Sequence, residues 1–334
     1  MIDFGGTQIF DTATVDTNIL MWLKESNQLK TMACIVKEKV LNNLSDYFRL
    51  HSTNSQFISS ESWGILSDIE QSIKAKIEAV GTPLKDWDIR INYGIKTGFN
   101  DAFIIDGKKK DELIAEDPKS AEIIRPLLRG RDIKRYSYEF ADLHLITTFP
   151  SLKINIEKYP AVKQYLMSFG YDKLKQTGDI GSRKKTNNKW FETQDSISYW
   201  DDFNKPKIVY PNMTKYMPFV YDDNAYCTNQ KCFIITGQAI AYLTAFFNSS
   251  LFKFCFRDSF PELQGGTREM SKIFFDKIPV MQVTDEMNAR FRSAVNDIQN
   301  VYSKSKAMAI DSMIFDLYNL SEKERQVIGF VEIE

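Results

Sequence analysis

Three short apolar segments between Lys205 and Thr236 constrain the fold of this chain more than any other feature. They are "KPKIVYP", "MPFVYD" and "KCFIIT", and turn-rich pieces such as "DDNAY" separate them. Apolar runs of this length, bounded by turn formers, read as strands. Short links between successive strands imply antiparallel pairing. Upstream, "WDIRINY" alternates strictly. Trp87, Ile89, Ile91 and Tyr93 fall on one face, and Asp88, Arg90 and Asn92 on the other. That is the pattern of a half-buried strand. "DAFIID" and "LHLITTF" are further strand candidates.

Helical periodicity flanks this strand region. From Ser60 to Val80 the residues Ile65, Ile69, Ile73, Ile77 and Val80 make one apolar stripe. Gly81 is expected to end that helix in the left-handed conformation, with Pro83 preventing continuation. "AIAYLTAFFNSSLFKFCF" reads as one mostly buried helix and "QGGTREM" as a flexible turn. After Pro279 come two more stripes, Met287-Phe291-Val295-Ile298 and Ile310-Met313-Ile314-Leu317. Ser321 and Glu324 have the spacing of a capping box for a last short helix. Met1 to Lys24 reads as two extended pieces around a turn at Asp11 to Thr14. The order predicts an α+β fold: mixed and antiparallel sheets flanked by helices, with a C-terminal helical tail.

The chain has 334 residues, 43% hydrophobic and 26% charged, with a formal net charge of -1. This balance excludes whole-molecule steering toward a polyanion but permits a local basic face. Cys34, Cys227, Cys232 and Cys255 form no C-x-x-C pair and are expected as buried thiols. The longest apolar run, "YLTAFFNSSLFKFCF", is broken by Asn248, Ser249, Ser250 and Lys253, so no membrane span is expected. A cytoplasmic protein is the expectation. There is no G-x-S-x-G, P-loop or G-x-G-x-x-G motif. His51 is expected to be exposed and His144 to be a strand residue. Asp106 and Lys108 have a D-x-K spacing but read as a β-turn.

Cations gather in two runs. "RPLLRGRDIKRY" carries Arg125, Arg129, Arg131, Lys134 and Arg135, and "GSRKKTNNKW" carries Arg183, Lys184, Lys185 and Lys189. The second adds Asn187, Asn188 and Trp190. Arg reads guanine edges and Asn reads adenine edges in the major groove. Lys and Thr bind phosphates. Trp190 and Phe191 fit base contact and loop anchoring equally well.

Several stretches, in order, resemble one family. "DFGGTQIFDTATVDTNILMW" resembles the closing strands of the catalytic domain in γ-type adenine-N6 DNA methyltransferases. "GIKTGFNDAFIID…LLRGRDIKRY" resembles the start of the target recognition domain that follows. "KPKIVYPNMTKYMPFVYDDNAYCTNQKCFIIT" resembles the strand cluster of that domain. "YLTAFFNSSLFKFCFRDSFPELQGGTREMSKIFFDKIPV" resembles its closing helix, glycine loop and final strand. The pattern is that of TaqI-type and type IIG restriction-modification enzymes. The resemblance implies closing methyltransferase strands over 1–30, a helical linker over 31–85, a DNA target recognition domain over 86–280 and a helical tail over 281–334. The Asn-Pro-Pro-Tyr motif, the S-adenosylmethionine loop and a nuclease domain are absent. The chain is therefore expected to be the C-terminal part of a larger enzyme. The cofactors S-adenosylmethionine and Mg2+ are implied for that parent and none for this chain. The implied partners are double-stranded DNA and the parent's methyltransferase and nuclease domains. Within this reading Arg183, Asn187, Asn188 and Lys215 are candidate base readers. Lys96, Thr97, Arg129, Arg131, Lys184, Lys185, Lys189 and Arg268 are candidate phosphate contacts. Arg131 has a second reading, fixing a turn near Asp132. The rival readings are a stand-alone specificity subunit and a nuclease with a divergent site.

Overall fold

The strand-forming segments of the centre pair as their spacing implies. In the computed structural model, which describes residues 1–5, 9–10, 12, 17–26, 28, 30–36, 43–55 and 65–332, the strands Lys207–Pro211, Val220–Asp222 and Cys232–Gly237 lie in one antiparallel sheet. The Lys207–Pro211 strand is flanked by the other two, with Ile208 opposite Tyr221 on one side and Ile235 on the other. Ile89–Tyr93 completes this sheet beside Cys232–Gly237. A second, mixed sheet is ordered Cys227–Thr228, Ile124–Leu128, Leu143–Ile146, Ile104–Asp106. Its first pair is parallel and the others antiparallel. The α+β class follows.

One core joins the two sheets. Leu127, Leu145, Ile146, Phe203, Val209 and Ile234 are all buried in it. Each such side chain contributes about 1.5–3 kcal/mol when fully buried. A charged pair also sits inside. Lys207 Nζ lies 2.5 Å from Asp222 Oδ2, with both side chains at 0% exposure. Lys207 Nζ also donates to Phe203 O at 2.7 Å, and Asp222 accepts the backbone N–H groups of Asn224 and Tyr226.

Several local expectations change. "DAFIID" is a short helix, Asn100–Phe103, that runs into the strand Ile104–Asp106. Asp106 is not in a β-turn: its carboxylate accepts Lys109 N–H at 2.7 Å and caps the helix Gly107–Glu116. The long apolar helix is two, Ile240–Asn248 and Ser250–Phe256. Its polar interruption explains the break. Asn248 bonds both backbone groups of Phe219, Ser249 caps the second helix, and Ser250 bonds Asp311. Gly81 does not take a left-handed conformation. The helix Asp68–Val80 passes directly into the strand Gly81–Pro83, which pairs with Pro279–Met281. The expected turn at Asp11 to Thr14 and the helix start at Ser60 to Gly64 lie outside the described residues, Thr12 excepted.

The chain divides into two units: Met1–Ala79 with Leu320–Val327, and Val80–Asn319 with Ile328–Glu334. These bounds differ from those expected at 30, 85 and 280. The segment 31–85 is more than helical linker, because Thr31–Ile35 pairs in parallel with Ile2–Asp3 and carries Thr53–Ser55 on its other side. In the larger unit the tail helices Asp285–Asn300 and Lys304–Leu317 bury Phe291, Val295, Ile310 and Ile314. Cys34, Cys227 and Cys232 are buried.

In the smaller unit the expected capping box forms. Glu324 accepts Ser321 N–H at 2.6 Å, and Glu324 N–H reaches Ser321 Oγ at 3.4 Å. The same carboxylate accepts from Ser72 Oγ at 2.8 Å and Lys76 Nζ at 2.7 Å. Burial alone would raise its pKa, but Lys76, the Ser321 N–H and the two serine hydroxyls bring it from 4.5 down to about 2. A depressed carboxylate stabilises the fold fully above its unfolded pKa and loses that contribution as the pH falls toward the folded value. Glu324→Gln is expected to cost on the order of 2–3 kcal/mol at pH 7. The cost should shrink below about pH 4.5, read by urea unfolding across a pH series.

Candidate nucleic-acid interface

The cationic run near 183 separates into an inside and an outside. Arg183 is only 4% exposed. Its Nε donates to Leu174 O at 2.8 Å, and Nη1 to Thr97 O at 3.1 Å and Glu192 O at 2.8 Å. Nη2 donates to Trp190 O at 2.6 Å, and the guanidinium lies 5.0 Å from the Phe103 ring centroid. Burial pushes its pKa down to about 10, with Glu192 opposing, so it stays cationic at neutral pH. A guanidinium whose donors are bound to carbonyls in the interior has no free fork for a guanine edge. The base-reading role is corrected: Arg183 is the anchor of its loop. Phe191 is buried and Trp190 packs against the same core, which decides between their two readings in favour of anchoring.

Three expected phosphate contacts also have interior duties. Thr97 is 2% exposed; its hydroxyl donates to Asn100 Oδ1 and accepts from Phe99 N–H. Arg268 is 7% exposed and donates to Phe260 O, Asp258 and Glu262, closing the loop that contains Gly265 and Gly266. Arg129 grips both oxygens of Asp132, whose carboxylate also accepts Arg129 N–H at 2.8 Å. The turn-fixing role considered for Arg131 thus belongs to Arg129. Asn188 is half-buried, with Nδ2 spent on Thr193 O and Gln194 O.

The remaining candidates are outside. Lys96, Arg131, Lys184, Lys185, Asn187, Lys189 and Lys215 are exposed. Among the described residues none of these cations makes an ion pair. Lys189 Nζ sits 5.6 Å from the Phe191 ring centroid and Lys215 Nζ 5.7 Å from that of Tyr216.

The structure adds residues that the sequence reading passed over. The turn Asn229-Gln230-Lys231 lies between the strands Cys227–Thr228 and Cys232–Gly237. Two glycines let it seat deeply. A Cβ on Gly94 would lie 1.9 Å from Asn229 O, and one on Gly130 would lie 2.9 Å from Lys231 O. Backbone bonds Ile95 N–Thr228 O, Asn229 N–Leu128 O and Asn212 N–Lys231 O hold it from three sides. Lys231 is exposed at its end. "TNQK" has the amide-plus-cation composition that drew attention to 183–190. Of these residues Lys231 was read as the first of the strand "KCFIIT".

Open clefts surround this turn. Asn100, Asp101, Arg129, Arg131, Asn229 and Lys231 line one of about 430 Å³. Arg131 and Lys231 also line its neighbour of about 560 Å³, together with Asn212, Thr214 and Tyr216. A third cleft, about 430 Å³, is lined by Tyr93, Thr186, Asn188, Gln194, Asp195 and Tyr199 among others. The segment 94–100 connects these places. Ile95 bridges to Asn229, while Lys96 O and Thr97 O accept from Asp195 N–H and Gln194 N–H. Among the described residues no three His, Cys, Asp or Glu side chains form a metal-binding group. His144 is a buried strand residue whose pKa is lowered by burial. No helix of the described residues is long and apolar enough to cross a membrane.

Residues 125–280 match the family model of the TaqI-like C-terminal specificity domain. This stretch contains Arg131, the loop from 177 to 195, Lys215 and the Asn229–Lys231 turn. Two solved structures are similar at low identity. The type IIG restriction endonuclease BpuSI matches with 12% identity and a TM-score of 0.46, over 75% of this chain and 33% of that one. The type IIL restriction-modification enzyme MmeI, solved in complex with DNA, matches with 10% identity and a TM-score of 0.44, over 90% of this chain and 37% of that one. This chain spans about a third of the length of each.

Proposed function

We propose that this chain reads a DNA sequence as the target recognition part of a restriction-modification enzyme. The observation that carries the reading is the coincidence of a specificity-domain match at 125–280 with unpaired, exposed cations at its clefts, above all Arg131 and Lys231. Exposed cations without acidic partners neutralise phosphates and set register. Amide groups beside them, at Asn187 and Asn229, supply base-edge chemistry. The parent enzyme in this reading methylates adenine N6, with the target base rotated out of the duplex into a neighbouring domain, and cleaves DNA where it carries a nuclease. S-adenosylmethionine and Mg2+ serve those other parts.

A binding selection tests it. The chain is mixed with a random duplex pool at low salt, and the bound fraction is sequenced. An enriched short motif is expected, and no binding at any salt concentration sinks the proposal. Arg131→Ala and Lys231→Ala are each expected to weaken all duplexes alike. Each should also reduce the slope of log K against log salt by about one unit. A change of motif in either variant would reassign that residue to base reading.

A further inference from the structure

We propose that the cleft between Tyr93, Asn188 and Asp195 accepts an exocyclic amino group of a DNA base, with Asp195 as the residue that selects it. The inference rests on the DNA-reading function above and deepens it.

Several of the protons at this cleft are spent inside the chain. Tyr199 OH donates to Tyr93 O at 3.0 Å. Thr186 Oγ1 donates to Gln176 Oε1 at 2.9 Å. Both Nδ2 protons of Asn188 go to Thr193 O and Gln194 O. What remains at the lining is the acceptor capacity of Asn188 Oδ1 and the Asp195 carboxylate, beside the exposed hydroxyls of Ser196 and Ser198, which can donate or accept; Asp195 is the one charged acceptor among them. Among the described residues Asp195 makes no ion pair, and the Lys96 backbone N–H is the group that favours its charged form from the main chain. An ionised carboxylate has about four acceptor sites, so most are available to a ligand. The Gln194 side chain, also at the cleft, makes no hydrogen bond among the described residues and can serve either way.

Duplex DNA presents donors of one kind in its major groove, the amino groups of cytosine N4 and adenine N6. An acidic side chain accepts from such a group and repels the keto oxygens of guanine and thymine. Burial raises the pKa of Asp195, and the two exposed cations Lys96 and Lys184 oppose that rise. A carboxylate on a phosphate-binding face weakens general affinity. It is useful there only as a discriminator, since specificity needs a repulsive element as well as an attractive one.

The test compares the full chain with Asp195→Asn and Asp195→Ala in the same duplex selection. Asparagine matches aspartate in size and shape, so Asp195→Asn is the variant that preserves the fold; thermal unfolding checks this. The wild-type motif is expected to hold an amine-bearing base at one position. Asp195→Asn should lower preference there roughly ten-fold, leave other positions intact, and bind random duplex as well as or better than the wild type. Replacing the selected base by its analogue without the amino group should cost the wild type the same factor and the variant nothing. An unchanged motif in both variants, or uniform weakening of every sequence, overturns the inference while leaving the recognition function standing. A cleft that responds to added Mg2+ or Ca2+ and not to base identity overturns it too. Failure of the wild type to bind any duplex removes the recognition function and this inference together.

Discussion

Arg183→Ala is expected to destabilise the larger unit by about 3–5 kcal/mol, the range for stripping a buried charged group from its partners. The side chain binds four carbonyls from three separated parts of the chain, at Leu174, Thr97, Glu192 and Trp190. Alanine leaves all four without this donor and empties the space beside Phe103. Urea unfolding followed by tryptophan fluorescence measures the loss. DNA affinity should fall for all sequences alike. Arg183→Lys should recover little, because an ammonium is a point charge with three donors and lacks the planar fork. A stable Arg183→Ala variant that loses preference at one base position would restore the role first read from its sequence context.

The second large effect is at Lys207. Lys207→Met is expected to cost about 3–5 kcal/mol, because it leaves Asp222 buried without its countercharge. Asp222→Asn should cost less, since an amide oxygen still accepts from Asn224 and Tyr226. The double variant Lys207→Met with Asp222→Asn should be more stable than Lys207→Met alone. Equality of those two would show that Asp222 is held by its backbone donors and not by Lys207. Unfolding midpoints of the three variants decide it, with the slopes compared to exclude a change in the unfolded state.

How much of this was legible in the sequence depends on the range of the interaction. Strands such as Lys207–Pro211 and Cys232–Gly237 announce themselves, because a short apolar run and the turn formers that bound it are local. The capping box at Ser321 and Glu324 was readable for the same reason. The break at Ser249 was not, since it depends on Phe219 and Asp311, which lie far along the chain. The site divides the same way. Sequence context located the cationic loop and Arg131, but it could not separate a guanidinium facing water from one facing four carbonyls. Arg183, Thr97 and Arg268 were misread for this reason: charge and type are local, whereas burial is set by the whole fold. Lys231 was missed because the seat of its turn is set by Gly94 and Gly130, which lie far from it in sequence.

The way Arg183 holds its loop has a consequence for how such a domain can change. All its hydrogen bonds end on main-chain carbonyls, which every amino acid supplies. The loop's shape therefore does not depend on which side chains occupy 184, 185, 187 and 189. Those positions can be rewritten while the frame that presents them stays the same, much as type is reset in a fixed press. A library randomised at these four sites, with Arg183, Trp190 and Phe191 kept, is the natural source of altered sequence preference on an unchanged scaffold.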